Sequence, residues 1–194
     1  MDRSKIKTLV VNTITSYRIL AAPILLLLIW KNEYDVFKWL LVVSFFTDAV
    51  DGYLARRYKA VSRLGARLDS AGDDLTVIVA IIGMIKWNYT FMYDQKTWAA
   101  LLIVLFTIQV TLALIRYGKM TAYHTYISKT AAILQAVFLS SCFFIDYPSS
   151  LFFYITAMVT GIGLLEEIVM TILLQNYQVD IKGLYWLLKK KKST

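Results

Sequence analysis

One cysteine and one histidine among 194 residues exclude two chemistries at once. A lone Cys142 cannot close an intramolecular disulfide and gives no support to an oxidising compartment, so a small core residue is its expected role. Zinc centres draw on His and Cys, and one of each is too few for a site of the usual kind. Charge is scarce as well: 18% of residues are Asp, Glu, Lys or Arg, whereas 58% are hydrophobic. A soluble domain is about 45–50% apolar. No cleavable leader is evident either. The first apolar run, Ile19–Trp30, lacks a small-x-small exit and is interrupted by Pro23, so it is expected to be a retained membrane helix.

What is present is a series of apolar runs of roughly the 20 residues that cross a bilayer. They predict an all-α polytopic membrane protein in one domain over 1–194, with about six transmembrane helices. The first contains Ile24–Trp30. The second opens at Val36–Phe46, and the third runs from near Gly65 to Met84–Trp87, with Asn88–Lys96 as a loop. The fourth is Trp98–Ile115, the fifth Lys129–Phe144 with its turn at Asp146-Tyr147-Pro148, and the sixth Leu151–Leu174. Residues 1–11 alternate Arg3, Lys5 and Lys7 with Ile6, Leu9, Val10 and Val11, the pattern of an amphipathic helix lying on the membrane surface. Residues 175–194 form a basic tail.

The net charge of +8 does not point to nucleic acid. It sits in short clusters at helix ends, where basic residues set topology and meet anionic lipid. Nearly all of it falls in the N-terminal segment, the Arg56–Arg67 link, the Arg116–Lys129 link and the tail. With six spans these four lie on one side, which places both termini in the cytoplasm, at an inner-membrane protein's cytoplasmic face.

The most informative stretch lies between two of these spans. From Asp48 it reads D-A-V-D-G-Y-L-A-R, then eight residues, then G-A-R-L-D-S-A-G-D ending at Asp73. Asp48 and Asp51 are three apart and Asp69 and Asp73 four apart, spacings that put each pair on one helix face. One intramembrane Asp can be a polar helix contact, and Arg56 with Arg57 can be interfacial anchors. Four costly carboxylates converging through a helical hairpin call instead for cations. An all-oxygen donor set suits hard ions, Mg²⁺ or Mn²⁺. Two such ions about 3.5–4 Å apart can clamp a phosphoryl group. The small residues Gly52 and Ala55 leave room for a flat ring or a phosphate against the backbone. Arg56 offers a forked donor for phosphate, and Asp73 is the candidate to take a proton from an attacking hydroxyl.

These residues resemble the signature of the CDP-alcohol phosphatidyltransferase family, D-x2-D-G-x2-A-R-x8-G-x3-D-x3-D. Every fixed position matches: Asp48, Asp51, Gly52, Ala55, Arg56, Gly65, Asp69 and Asp73. Asn12, Ile14, Thr15, Arg18 and Pro23 extend the resemblance toward the N-terminus. The resemblance implies transfer of the phosphatidyl group of CDP-diacylglycerol to a polar alcohol with release of CMP. It implies two divalent ions held by the four aspartates, with Asp73 also the general base. Gly52, Ala55, Arg56 and Gly65 would contact the cytidine diphosphate, in a homodimer whose polar cavity opens to the cytoplasm and whose lipid chains enter from the bilayer.

The acceptor is less legible. Arg116, Lys119, His124 and Lys129 cluster between the fourth and fifth spans, and basic residues in this region would bind a phosphorylated alcohol such as glycerol-3-phosphate or inositol phosphate. Arg116 and Lys129, at helix ends, are the candidates; Lys119 is equally explained as a positive-inside charge, and His124 as an interfacial hydrogen-bonder. Glycerophosphate enzymes of the family usually read L-D-P-x-A-D-K, where this chain has Ser70, Gly72 and Asp74, and Ser70 echoes serine-transferring members. A serine- or inositol-type acceptor therefore stands as an alternative. Asp74 is expected to meet solvent or Arg18. Glu166 and Glu167 fall inside the sixth apolar run at a cost of about 2–3 kcal/mol on insertion scales, so one may be expected to line a polar cavity or pair with a basic residue, and adjacency lets only one face any given partner. Two other classes are weighed. An intramembrane prenyltransferase also binds Mg²⁺-diphosphate through aspartates, but it needs a longer chain and does not require Gly52, Ala55 and Arg56. A cation carrier would want polar residues near the bilayer midplane rather than at one surface.

Overall fold

The computed structural model describes residues 20–58 and 63–192; within its helices the side chains of 48, 49, 51–58, 63–71 and 190–192 lie outside that description. The expected surface helix over 1–11 and the residues Asn12, Ile14, Thr15 and Arg18 lie outside it too. The regular structure of the described residues is α-helical, with loops between the helices and one isolated β-bridge, Ala122 with Val179. The helices are α1 (Leu20–Lys31), α2 (Tyr34–Tyr58), α3 (Arg63–Trp87), α4 (Tyr89–Asp94), α5 (Lys96–Tyr117), α6 (Tyr126–Ser141), α7 (Ser150–Leu173) and α8 (Leu184–Lys192). Two of them, α5 and α7, are long and apolar enough to cross a membrane. Both α2 and α3 have 25 residues, but each gives part of its length to the aspartate motif. The chain divides into two compact units, 1–89 with 139–146, and 90–138 with 147–194.

In the first unit, α1 buries Ala22, Leu25 and Ile29, α2 buries Phe37, Leu41 and Ser44, and α3 buries Thr76, Val79, Ala80 and Met84. These are the i, i+3, i+4, i+7 stripes of helices with one inward face. The α1–α2 turn is made at Asn32, whose φ of 62° is the left-handed conformation that Asn tolerates better than most side chains. At this end of the unit the rings lock together. Phe37 lies 5.0 Å from Trp87 and 5.1 Å from Phe143, and Tyr34 lies 5.2 Å from Trp87. Their polar edges are satisfied: the Tyr34 hydroxyl donates to the Phe143 carbonyl at 2.8 Å, Asn88 to the Cys142 carbonyl at 3.0 Å, and the Trp87 indole to Asn32 at 3.1 Å. Cys142 is buried and unbridged, as its scarcity suggested.

In the second unit α5 packs along α7. Gly118 ends α5 at φ 67° with its N–H on the Leu114 carbonyl, and Ser149 caps α7 by accepting from the Phe152 amide. Three boundaries differ from those expected. Asn88–Lys96 is not simply a loop: Tyr89–Asp94 is a short helix because Phe91 is buried, 5.8 Å from Phe153 and 6.2 Å from Phe138. The fifth apolar run is helical from Tyr126 to Ser141, 16 residues, and then closes in turns onto the Ser140 and Ser141 carbonyls. The basic tail carries structure of its own. Residues 179–182 run beside the α5–α6 loop, with Asp180 and Ile181 amides donating to the Ala122 and Tyr123 carbonyls at 3.1 and 2.7 Å, before α8 begins.

Candidate functional site

Asp48, Asp51, Gly52, Ala55 and Arg56 lie on the second half of α2, and Gly65, Asp69 and Asp73 on the first half of α3. The two helices pack against each other and only residues 59–62 separate them, so they run antiparallel. Their register is set at the far end. A Cβ on Gly83 would stand 2.8 Å from Cζ of Phe37 and 3.2 Å from Cζ of Phe143, so the bare glycine backbone is what seats the Phe37 ring on α3. Counting inward equally from this contact brings Leu41 level with Val79 and Ser44 level with Thr76, all four buried. Both hydroxyls are spent on their own helices, Ser44 on the Leu40 carbonyl at 2.9 Å and Thr76 on that of Gly72 at 2.8 Å. Carried on along the sequence, the same count pairs position 48 with 72, 51 with 69 and 55 with 65.

Helix phase gives the same correspondence. At 100° per residue, positions 37, 41, 44, 48, 51 and 55 fall within about 40° of one line, and so do 65, 69, 72, 76 and 83. The motif positions therefore continue the stripe that is buried at the aromatic end. Asp73 sits on the flank of the α3 stripe and is half-buried, as is Asp74 beside it. The side chains of Asp48, Asp51, Gly52, Ala55, Arg56, Gly65 and Asp69 lie outside the described residues; among those described, no three Asp, Glu, His or Cys side chains gather in a metal-binding group. With a rise of about 1.5 Å per residue, Asp51 lies about 21 Å along α2 from Phe37.

A second polar centre occupies the other unit, where α5, α6 and α7 meet. The Glu167 carboxylate accepts from Gln109 of α5 at 2.9 Å, from Thr121 of the α5–α6 loop at 3.2 Å, and from Ser128 of α6 at 2.7 Å. The first turn of α6 lies against α7 at Gly163, where a Cβ would make an ordinary contact with Ile127 at 3.5 Å. Tyr123 is buried above this centre with its hydroxyl 3.0 Å from that of Thr171. Glu166 faces elsewhere, accepting the Leu184 amide of α8 at 2.8 Å, so the two adjacent glutamates do serve different partners. Neither pairs with a basic residue in a described ion pair. The burial cost of a glutamate was visible in the sequence, whereas Gln109, Thr121 and Ser128, its actual partners, were not singled out. A glutamine within an apolar run was the available signal.

The basic residues of this link are distributed rather than gathered. Arg116 is exposed and gives its Nε to the Leu174 carbonyl at 3.0 Å, which together with the Tyr117 hydroxyl at 2.9 Å caps the end of α7. Lys119 lies 4.0 Å from the Tyr177 ring centre, a cation–π contact. Lys129 is exposed one turn into α6, and His124 holds a left-handed φ of 52° in the loop before it.

Comparison with known proteins follows the same residues. A family model described as CDP-alcohol phosphatidyltransferase matches residues 8–173. A CDP-diacylglycerol–glycerol-3-phosphate 3-phosphatidyltransferase of Cereibacter sphaeroides is 36% identical over 86 residues, 39% of this chain and 39% of that protein. Its counterpart in Haemophilus influenzae is 27% identical over 81 residues, 40% of this chain and 44% of the relative. A CDP-diacylglycerol–inositol 3-phosphatidyltransferase of Saccharomyces cerevisiae is 42% identical over 62 residues, 32% of this chain and 28% of that protein. The chain thus covers less than half the length of these relatives. No solved structure gives a significant match.

Proposed function

The chain belongs to the CDP-alcohol phosphatidyltransferase family, and on that footing we propose that it makes a phospholipid by transferring the phosphatidyl group of CDP-diacylglycerol to a polar alcohol, with release of CMP. The observation that carries this reading is the hairpin register. Counted from the packing of Phe37 against Gly83 at the opposite end, an equal register would put position 51 level with 69 and 55 level with 65, which supports the two halves of the motif sharing one seam. Asp48, Asp51, Asp69 and Asp73 would hold two divalent cations, Mg²⁺ or Mn²⁺, since their donors are oxygens alone. Bound there, the ions supply charge neutralisation to the diphosphate and its leaving oxygen.

The chain's own residues do the rest. Gly52, Ala55 and Gly65 let the cytidine diphosphate approach the helix backbones, and Arg56 offers its fork to a phosphate. The half-buried Asp73 accepts the proton of the acceptor hydroxyl. The hydroxyl oxygen then bonds to the phosphorus that bears the diacylglycerol, the bond from that phosphorus to the bridging oxygen breaks, and CMP leaves with that oxygen. Protonated Asp73 returns its proton to water.

For the acceptor we favour a phosphorylated alcohol, glycerol-3-phosphate or inositol phosphate, with Arg116 and Lys129 as its phosphate partners. The glycerol-3-phosphate enzymes among the relatives support it. Ser70, Gly72 and Asp74, together with the inositol enzyme among the relatives, keep a neutral polyol or serine as the second reading. The protein works as a six-span homodimer of the inner membrane, single-domain over 1–194, with its site on the cytoplasmic face; the two apolar helices and the basic links support that topology. The deciding experiment supplies purified protein with CDP-diacylglycerol, divalent cation and a panel of glycerol-3-phosphate, inositol phosphate, inositol and serine. CMP release with one alcohol, and the matching lipid product, is the expected result. CMP release with none of them, or release of inorganic diphosphate from a prenyl donor, overturns the reading.

A further inference from the structure

The C-terminal segment is built into the second unit rather than appended to it. Residues 179–182 form a short parallel bridge with the α5–α6 loop, and the Tyr126 amide that opens α6 donates to the Lys182 carbonyl at 3.2 Å. Gly183 then turns at φ 150°, where a Cβ would stand 3.0 Å from Glu166 Oε1, and that same oxygen accepts the Leu184 amide at the start of α8. Ile181, Leu184 and Leu187 pack onto the buried cluster of Tyr123, Met170 and Leu174. One face of α8 is accounted for by these contacts.

Among the described residues the other face is largely open, meeting the chain where Trp186 lies 5.3 Å from the Tyr126 ring. Tyr185, Trp186 and Leu188 are 66%, 45% and 44% exposed, and Lys189 is exposed beside them. Lys190, Lys191 and Lys192 continue the helix. On a helical wheel Tyr185, Lys189 and Trp186 lie within about 100° of one another, opposite Leu184 and Leu187. Aromatic rings flanked by a lysine run are the composition that settles at a headgroup boundary. Four adjacent cations with no carboxylate among them on the helix match a surface of opposite sign.

We propose that α8 is an interfacial anchor that seats Tyr185, Trp186, Lys189, Lys190 and Lys192 on an anionic lipid surface, and through the 179–184 strap holds the α5–α6 loop to that surface. The proposal does not rest on the transferase reading. The full chain is reconstituted into vesicles of brominated phosphatidylcholine mixed equimolar with either unbrominated phosphatidylcholine or unbrominated phosphatidylglycerol, and the fluorescence contribution of Trp186 is isolated by difference with Trp186→Phe. Quenching of that contribution should be stronger in the anionic vesicles and fall as salt is raised. Changing Lys189, Lys190 and Lys192 together to Gln should remove the anionic excess, at roughly fivefold weaker docking for each lysine neutralised, whereas changing them to Arg should keep it. Equal quenching in both vesicle types, or an anionic excess that survives the three Gln substitutions, overturns the proposal. Unshifted quenching of the other tryptophans serves as the control that the Gln variant folds.

Discussion

Glu167 offers the most demanding test of how the second unit is held together. Its carboxylate is the common acceptor for side chains on α5, the α5–α6 loop and α6. Truncation in Glu167→Ala leaves Gln109, Thr121 and Ser128 without that acceptor. A hydrogen bond of this kind contributes about 1 kcal/mol net, so three lost at once cost about 3 kcal/mol, less what the hydroxyls recover by turning. Ser128 has such a recourse, since its hydroxyl already lies 3.0 Å from that of Thr125. Glu167→Gln behaves differently. The amide oxygen still accepts from Gln109 and Thr121, and the amide nitrogen meets the Ser128 hydroxyl, which carries lone pairs to receive it. Its cost is therefore about 1 kcal/mol or less. The assay is the unfolding midpoint of the full chain in lipid–detergent bicelles for the wild type, both variants and Ser128→Ala with and without Glu167→Ala. The expected order is wild type, Gln, then Ala well below. Equal midpoints for the Ala and Gln variants would refute the reasoning, as would strict additivity of Ser128→Ala with Glu167→Ala, since residues sharing a hydrogen bond couple.

Gly83→Ala sets two opposed effects against each other: about 1 kcal/mol gained in helix propensity and about 1–3 kcal/mol of overpacking against the buried rings of Phe37 and Phe143. A net loss of up to about 2 kcal/mol in chemical unfolding is expected, and a stabilised variant would deny that Gly83 seats Phe37. Burial holds the Tyr123 hydroxyl well above its ordinary 10.0. The folded chain therefore keeps this proton longer than the unfolded one, so stability contributed here is constant below pH 10 and declines above it; Tyr123→Phe should flatten that alkaline slope in a pH series of unfolding midpoints. Asp73→Asn should abolish CMP release while CDP-lipid still binds, whereas Asp69→Asn loses both; normal turnover of the Asp73 variant would remove it as the base. Arg116→Ala and Lys129→Ala should raise the acceptor's KM more than the donor's, and an unchanged acceptor KM would take them out of that pocket. Arg116→Ala carries an added stability loss from the Leu174 carbonyl it caps, which Lys129→Ala does not.

Much of the helix order was legible because apolar period and length are local properties, and α2, α3, α5 and α7 fall where those properties put them. What escaped depends on contacts across the sequence. Phe91 turned an expected loop into a helical turn by finding Phe138 and Phe153, and nothing within Asn88–Lys96 announces those partners. In the tail, the lysine run masked the spacing of Leu184 and Leu187, which acquires meaning only against Tyr123, Met170 and Leu174. The two glutamates were conspicuous by cost alone. Their resolution, Glu167 onto three side-chain donors and Glu166 onto a backbone amide, could not be read from charge, because neither answer involves an opposite charge.

The aspartate motif is the instructive intermediate case. Its spacings of three and four residues announced one helix face apiece, but which face, and opposite what, required a fixed point elsewhere on the hairpin. Phe37 against Gly83 supplies it. On the proposed reading the helix pair keeps one register, and an aromatic ring seated on a glycine at one end is the point from which levels about 21 Å away are counted. The apolar rows Phe37–Leu41 and Val79–Gly83 and the motif positions are consecutive stretches of the same two helical stripes, joined through Ser44 and Thr76, whose hydroxyls turn back onto their own helices. It follows that a substitution at Gly83 large enough to slide one helix past the other should weaken CDP-lipid binding along with stability, whereas one at the exposed Ile82, one position away and off the stripe, should do neither. Equal loss of binding from both positions would separate the register of the hairpin from the motif that lies on it.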